Sequence, residues 1–142
     1  MTNANELRIG NWFQQDASNN NAISRFFTVD EIKRYGVRST YIRQDTNQPH
    51  TSLFSLDSIH PIPLTPEILE KCGFERQNYE WAINKLNESD DSCFCLFDMN
   101  YNSGDLLLEL NAAYCPCPKV EHLHQLQNLY FSLTCEELTF KP

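Results

Sequence analysis

The stretch from His122 to Thr134 constrains this chain more than any other. Leu123, Leu126, Leu129, Tyr130 and Leu133 fall on one broad arc of a helical wheel, with Gln125, Asn128 and Ser132 opposite. That pattern predicts an amphipathic helix that must lay its apolar arc on a core. Gln127 sits inside the arc, between Leu123 and Phe131. A buried amide without partners costs about 1 kcal/mol or more, so Gln127 is expected to bond neighbouring backbone in a structural role. Cys135-Glu-Glu-Leu-Thr-Phe140 follows directly and reads as a short final strand.

Upstream, the first 62 residues read as short strands. Leu7 to Phe13 alternates apolar and polar residues around Gly10, as a bulged strand would. Residues 16–21 are a polar loop, Ile23 to Ile32 an apolar run ended by Gly36, and Val37 to Arg43 alternates again. Thr46 to Pro49 is a turn and Ser52 to Ile59 a further strand. Strands at this spacing predict a small curled sheet or partial barrel. His60-Pro-Ile-Pro-Leu64 is an extended joint, since each proline excludes its predecessor from the helical region.

Beyond the joint, Thr65 is an N-cap, Pro66 suits the first helical position, Ile68 and Leu69 point inward, and Gly73 ends a short helix. Tyr79 to Lys85 alternates as a half-buried strand. Cys93 to Phe97 is apolar on both faces, as a central strand is, and Leu106 to Leu110 returns from the hairpin loop Asn100 to Gly104. The fold class is α+β: an N-terminal β-rich lobe over 1–62 and an acidic α+β lobe over 63–142, together forming one compact unit.

Charge divides unevenly between these halves. Residues 1–62 balance six Lys/Arg against six Asp/Glu, so residues 63–142 carry the whole net charge of −8. An acidic half repels phosphate backbones, which disfavours nucleic acid as its partner. The neutral half keeps one alternative open, a small nucleic-acid-binding module using Arg25, Lys33, Arg34, Arg38 and Arg43. No basic start with an apolar run marks a secretory signal, and no run approaches the roughly 18 apolar residues of a membrane span. A soluble cytoplasmic protein with free thiols is expected. In that setting the sequon Asn87-Glu-Ser89 carries no meaning.

Reactive constellations are scarce. Cys115-Pro-Cys117, Cys93, Cys95 and one of His122 or His124 are of the right type for zinc. Against a site, the cysteine spacing is short, and two histidines two residues apart on a helix lie about 200° apart. No nucleophile motif is present, Asp57 and His60 read as surface residues, and Asp90-Asp91 and Glu136-Glu137 read as solvated turns. Four scattered glycines make no phosphate loop. We therefore assign no catalytic, cofactor-binding or metal-binding residue and expect no enzyme. Trp12, Phe13, Phe26, Phe27, Tyr35, Tyr41 and Phe54 are many aromatics for a small lobe. Most are expected in the core, and any excess marks a protein-binding patch.

Three segments carry a resemblance: Asn5-Glu-Leu-Arg-Ile-Gly-Asn-Trp12, Pro61-Ile-Pro-Leu-Thr-Pro-Glu-Ile-Leu-Glu-Lys-Cys-Gly-Phe-Glu75 and His124-Gln-Leu-Gln-Asn-Leu-Tyr-Phe-Ser-Leu-Thr-Cys-Glu-Glu-Leu138. Covering about a quarter of the chain, they resemble an uncharacterised family of small proteins from gut-dwelling anaerobic bacteria and their phages and prophages. The resemblance implies a mobile-element or viral setting and transfers no functional residue. Cys135 stands where these proteins usually have glycine, which implies a strained or altered turn at the helix end. The expectation is a non-enzymatic phage or prophage accessory protein in the host cytoplasm. It would bind a host or viral protein, inhibition of a defence or nucleic-acid enzyme being its specific version. Self-association stays open.

Overall fold

The computed structural model describes residues 6–15, 25–43, 46–77, 80–83, 94–98, 106–110, 113–115 and 120–142. It is an α+β chain that divides into two compact units. One comprises Met1–Ile62 with His122–Leu129, the other Pro63–Glu121 with Tyr130–Pro142. The chain first passes between the units after Ile62, and the first two turns of the C-terminal helix belong with the N-terminal strands.

In the first unit the strands are β1 (Trp12–Gln15), β2 (Arg25–Thr28), β3 (Glu31–Lys33), β4 (Gly36–Ile42), β5 (Pro49–Ser55) and β6 (Ile59–His60). They form two separate three-stranded sheets, ordered β2-β1-β6 and β3-β4-β5. Every pairing is antiparallel, and neither sheet closes into a barrel. This corrects the partial barrel. The apolar run after Ile23 hides a break at Val29-Asp30, where the Asp30 carboxylate accepts from Thr40 N and the chain leaves one sheet for the other. Leu7 to Phe13 is likewise not one strand. Arg8 to Asn11 make a tight turn with Gly10 at φ 90°, a conformation open to glycine, and the strand starts only at Trp12. Ser52 to Ile59 is interrupted by a 3-10 turn at Leu56–Ser58.

Aromatic side chains hold the two sheets together. Phe13 and Phe27 from one meet Phe54 and Tyr41 from the other, with ring centroids 4.8 to 5.5 Å apart in tilted and edge contacts, while Phe13 and Phe27 stack on each other at 5.7 Å. Each such pair adds about 0.5–1.5 kcal/mol beyond the area it buries. Leu7, Val29, Val37 and Ile59 complete this core. Of the seven aromatics noted in the sequence, Phe13, Phe27 and Phe54 are buried and Trp12, Phe26 and Tyr41 half-buried. Tyr35 alone is exposed, at the β3–β4 turn.

The second unit opens with α1 (Pro66–Lys71). Ile68 N donates to Thr65 Oγ1, and Ile68 and Leu69 are buried, as expected. Its end is a Schellman turn: Gly73, at φ 86°, donates to Glu70 O, and Phe74 N donates to Leu69 O while its ring is buried. A five-stranded antiparallel sheet follows, ordered β11-β10-β9-β8-β7. Its strands are β7 (Glu75–Gln77), β8 (Glu80–Ile83), β9 (Phe94–Asp98), β10 (Leu106–Leu110) and β11 (Ala113–Cys115). The strand apolar on both faces, β9, is the middle one. Strands β7 and β11 have no counterpart in the pattern-based reading.

The C-terminal helix α2 spans Leu123–Thr134. His122 is its cap residue: its N–H donates to Gln125 Oε1, while its carbonyl accepts from Leu126. The final strand does not form. After Cys135 the chain runs extended, bonded to α1 through Lys141 N and Lys71 O, and buries Leu138 and Phe140 without joining a sheet. No helix among the described residues is long and apolar enough to cross a membrane.

Candidate functional site

The most concentrated polar chemistry lies in the first unit, where residues 6–12 meet the opening turns of α2. The Arg8–Asn11 turn is closed from within, because Asn11 Oδ1 accepts from Arg8 N at 2.7 Å and Asn11 N donates to Arg8 O. Gly10 N and Val29 N then bond Val29 O and Asn11 O, which pins the turn to the end of β2. On the helix side, Gln127 Oε1 accepts from Trp12 N at 3.0 Å and Gln127 Nε2 donates to Gly10 O at 3.3 Å. At the next residue, Asn128 Oδ1 accepts from Asn11 Nδ2 and from Arg8 Nε, and Asn128 Nδ2 donates to Glu6 O. Asn11 and Gln127 are buried.

This network absorbs its members. Gln127 bonds backbone, as expected of an amide set in an apolar arc. Asn128, assigned to the polar side of the wheel, lines the same seam. Leu133, assigned to the apolar arc, is exposed, while His124 is buried. The inward face is therefore turned roughly a quarter of the way round from the leucine arc, towards His124 and Gln127. Asn11, Asn128 and Arg8 were missed in the sequence. The only signal was an Asn on each side flanking residues that otherwise alternate or repeat cleanly.

His124 is the unusual member. It is 2% exposed, and neither ring nitrogen has a hydrogen-bond partner. Nε2 lies 3.5 Å from Glu6 Oε2 without hydrogen-bond geometry, and the ring stacks on His122 with centroids 5.8 Å apart. Burial holds its pKa below the ordinary 6.5, with the adjacent Glu6 partly opposing that shift and His122 adding to it. Burial thus favours the neutral imidazole.

The zinc candidates do not assemble among the described residues, where no three His, Cys, Asp or Glu side chains are grouped to hold a metal. Cys93 and Cys117 lie outside those residues. In the sheet, Cys95 pairs with Glu109 and Cys115 with Leu108, one register position out of step on β10. His122 caps α2 instead of lying on it, so the angle between the two histidines differs from the helical estimate and their rings stack. Cys72 is buried, and burial pushes its thiol pKa up to about 12, far from a reactive thiolate.

Of the remaining candidates, Asp57 is exposed in the 3-10 turn and His60 pairs with Gln14 in β6. Asp90 and Asp91 lie outside the described residues, and Glu136 and Glu137 are exposed after α2. The basic residues of the first unit are partly spent on neighbours. Glu31 is bridged by both Lys33, at 3.1 Å, and Arg38, at 2.9 Å, and Arg34 lies 5.2 Å over the Tyr35 ring.

The outer face of the β3-β4-β5 sheet is the other feature. Its register sets Arg38 opposite Glu31 and Leu53, Thr40 opposite Thr51, and Ile42 opposite Pro49, all on one face. Leu53 is 62% exposed and Ile42 58%. Compared with protein-family models, with curated proteins and with solved structures, the chain matches none.

Proposed function

We propose that this chain is a non-enzymatic phage or prophage accessory protein, working in the host cytoplasm by binding a host or viral protein. A defence or nucleic-acid enzyme is the specific class of target. The observation that carries the reading is the outer face of β3-β4-β5. There two large aliphatic side chains, Leu53 and Ile42, stand in solvent on either side of the Thr40–Thr51 pair. Exposed apolar side chains on a regular sheet face, with polar neighbours around them, fit a protein partner. The polar residues of the first unit support it from the other side, since Asn11, Gln127 and Asn128 are engaged in internal hydrogen bonds. The acidic C-terminal half adds long-range attraction towards basic surfaces of nucleic-acid-handling proteins. The Lys33–Glu31–Arg38 bridges argue against the nucleic-acid-binding alternative by engaging two of its five cations with one carboxylate, which offsets one of their two charges.

The test is capture from host and infected lysates with the wild-type chain and with Ile42→Asp and Leu53→Asp. A reproducible protein partner, lost in both variants while their circular dichroism is unchanged, is the expected result. Equal capture by all three removes the face from the reading. Catalytic turnover abolished by one substitution would overturn it entirely.

A further inference from the structure

We infer that the free edge of β5 pairs with the same strand of a second copy, joining two β3-β4-β5 sheets into one six-stranded sheet. Strand β5 is bonded to β4 on one side only and ends the sheet order on the other, so among the described residues no strand takes up its outer backbone groups. A row of unpaired N–H and C=O groups specifies its occupant closely, because only another extended strand satisfies it in series. Soluble proteins ordinarily guard such an edge with lysine, an inward charge, a bulge or internal proline. Over its seven residues, Pro49-His-Thr-Ser-Leu-Phe-Ser55, β5 has none of Asp, Glu, Lys or Arg, and its one proline stands at the first position. Outer-face Thr51 and Leu53 are both exposed, and so is His50 on the other face.

The occupant is another copy because this edge is complementary to itself. In a chain of net charge −8, β5 is a stretch two molecules can bring together without opposing like charges on the strand. An antiparallel pair about a two-fold axis near Ser52 sets Thr51 opposite Leu53 of the other copy, and Pro49 opposite its Ser55. Both strands have equal length, and an isologous contact closes after two molecules. It also merges the two outer faces, doubling the surface on which the proposed function rests. A monomeric chain would leave that function standing and sink only this inference.

The experiment is sedimentation equilibrium of the whole chain from micromolar to several hundred micromolar, with Thr51→Lys and Thr51→Glu alone and mixed. In the two-fold pair, the two residues at position 51 are diagonal neighbours on one face. Like charges there are expected to raise the dimer dissociation constant roughly three- to tenfold. An equimolar mixture of the Lys and Glu variants is expected to recover or exceed wild-type association. A wild type that stays monomeric throughout overturns the inference. So does a dimer indifferent to both substitutions, or one that both weaken and mixing fails to restore.

Discussion

The side chain of Gln127 accepts a hydrogen bond from the backbone N–H of Trp12 across 115 residues of sequence. Its amide nitrogen donates to Gly10 O, so a single helix residue occupies two main-chain groups beside the start of β1. Gly10 lies in the turn that precedes β1, and Trp12 is the first residue of that strand.

Replacing Gln127 by Leu keeps the volume near constant and strips both bonds at once. Each buried backbone group left without a partner costs about 1–3 kcal/mol. Leucine regains part of that through apolar burial. A net loss of about 2 kcal/mol in urea-unfolding free energy is expected. Gln127→Glu keeps an acceptor for Trp12 N but turns a carboxylate towards Gly10 O, so it should be at least as damaging at neutral pH. A leucine variant as stable as wild type would show that the amide is not holding the turn.

Cys135 ends α2 at φ 58°, with its N–H donating to Phe131 O at 2.8 Å. A left-handed conformation costs a side chain with a Cβ about 1–2 kcal/mol, whereas glycine adopts it freely. Glycine gives back about 0.4–1 kcal/mol through the greater freedom of its unfolded chain. Cys135→Gly is therefore expected to stabilise the protein by about 0.5–1 kcal/mol, raising the thermal midpoint by a few degrees. Cys135→Val should do the reverse, since a β-branched residue tolerates positive φ least.

What was legible in the sequence follows how local the cause is. The limits of α1 were readable because Thr65, Pro66 and Gly73 act within one helical turn of themselves. The central place of β9 was readable because Cys93 to Phe97 is apolar at successive positions in the sequence, as central strands commonly are. At Cys135, φ 58° is the altered helix end that the resemblance, not the residue pattern itself, implied. By contrast, the break at Val29-Asp30 lies inside an apolar run, and only the distant Thr40 N–H reveals why the chain turns there. The inward face of α2 was misplaced for the same reason. Leucines define an arc from within the helix, but Gly10, Asn11 and Trp12 decide which side meets polar backbone. The seam of Asn11, Gln127 and Asn128 joins residues more than a hundred positions apart, beyond the reach of any periodicity.

Gly36 is expected to tolerate no side chain. A Cβ placed there falls well inside contact distance of the Phe54 carbonyl oxygen on the neighbouring strand, a backbone atom that cannot move without shifting the register. The displaced strand carries Phe54, whose ring meets Phe13 and Phe27 in the core. Gly36→Ala should cost about 1–3 kcal/mol, in the range of other overpacked sites. Amide exchange should rise across β4 and β5 while α1 is unaffected. Unchanged exchange in β5 would mean the strand pair accommodates a methyl group by relaxing elsewhere.

His124 gives the fold an acid-sensitive element whose sign is fixed by burial. Its folded pKa lies below the ordinary 6.5, chiefly because burial disfavours the imidazolium. The unfolded chain therefore binds the proton more readily than the folded one. The contribution of this group to stability is fully present above about pH 6.5 and is lost as pH falls towards the folded value. The neighbouring Glu6 carboxylate, 3.5 Å from Nε2, moderates the loss while it remains ionised; His122, stacked alongside, adds to it when protonated. His124→Leu removes the titration without introducing a charge. Measured from pH 7.5 down to 4.5, the unfolding free energy of the wild type should fall relative to that of the variant, because only wild type carries this slope. His122→Asn separates the second histidine, and it should soften the slope without abolishing it. If the wild type and His124→Leu ran parallel across that range, the buried imidazole would have to be gaining its proton in place, held by Glu6 as an ion pair.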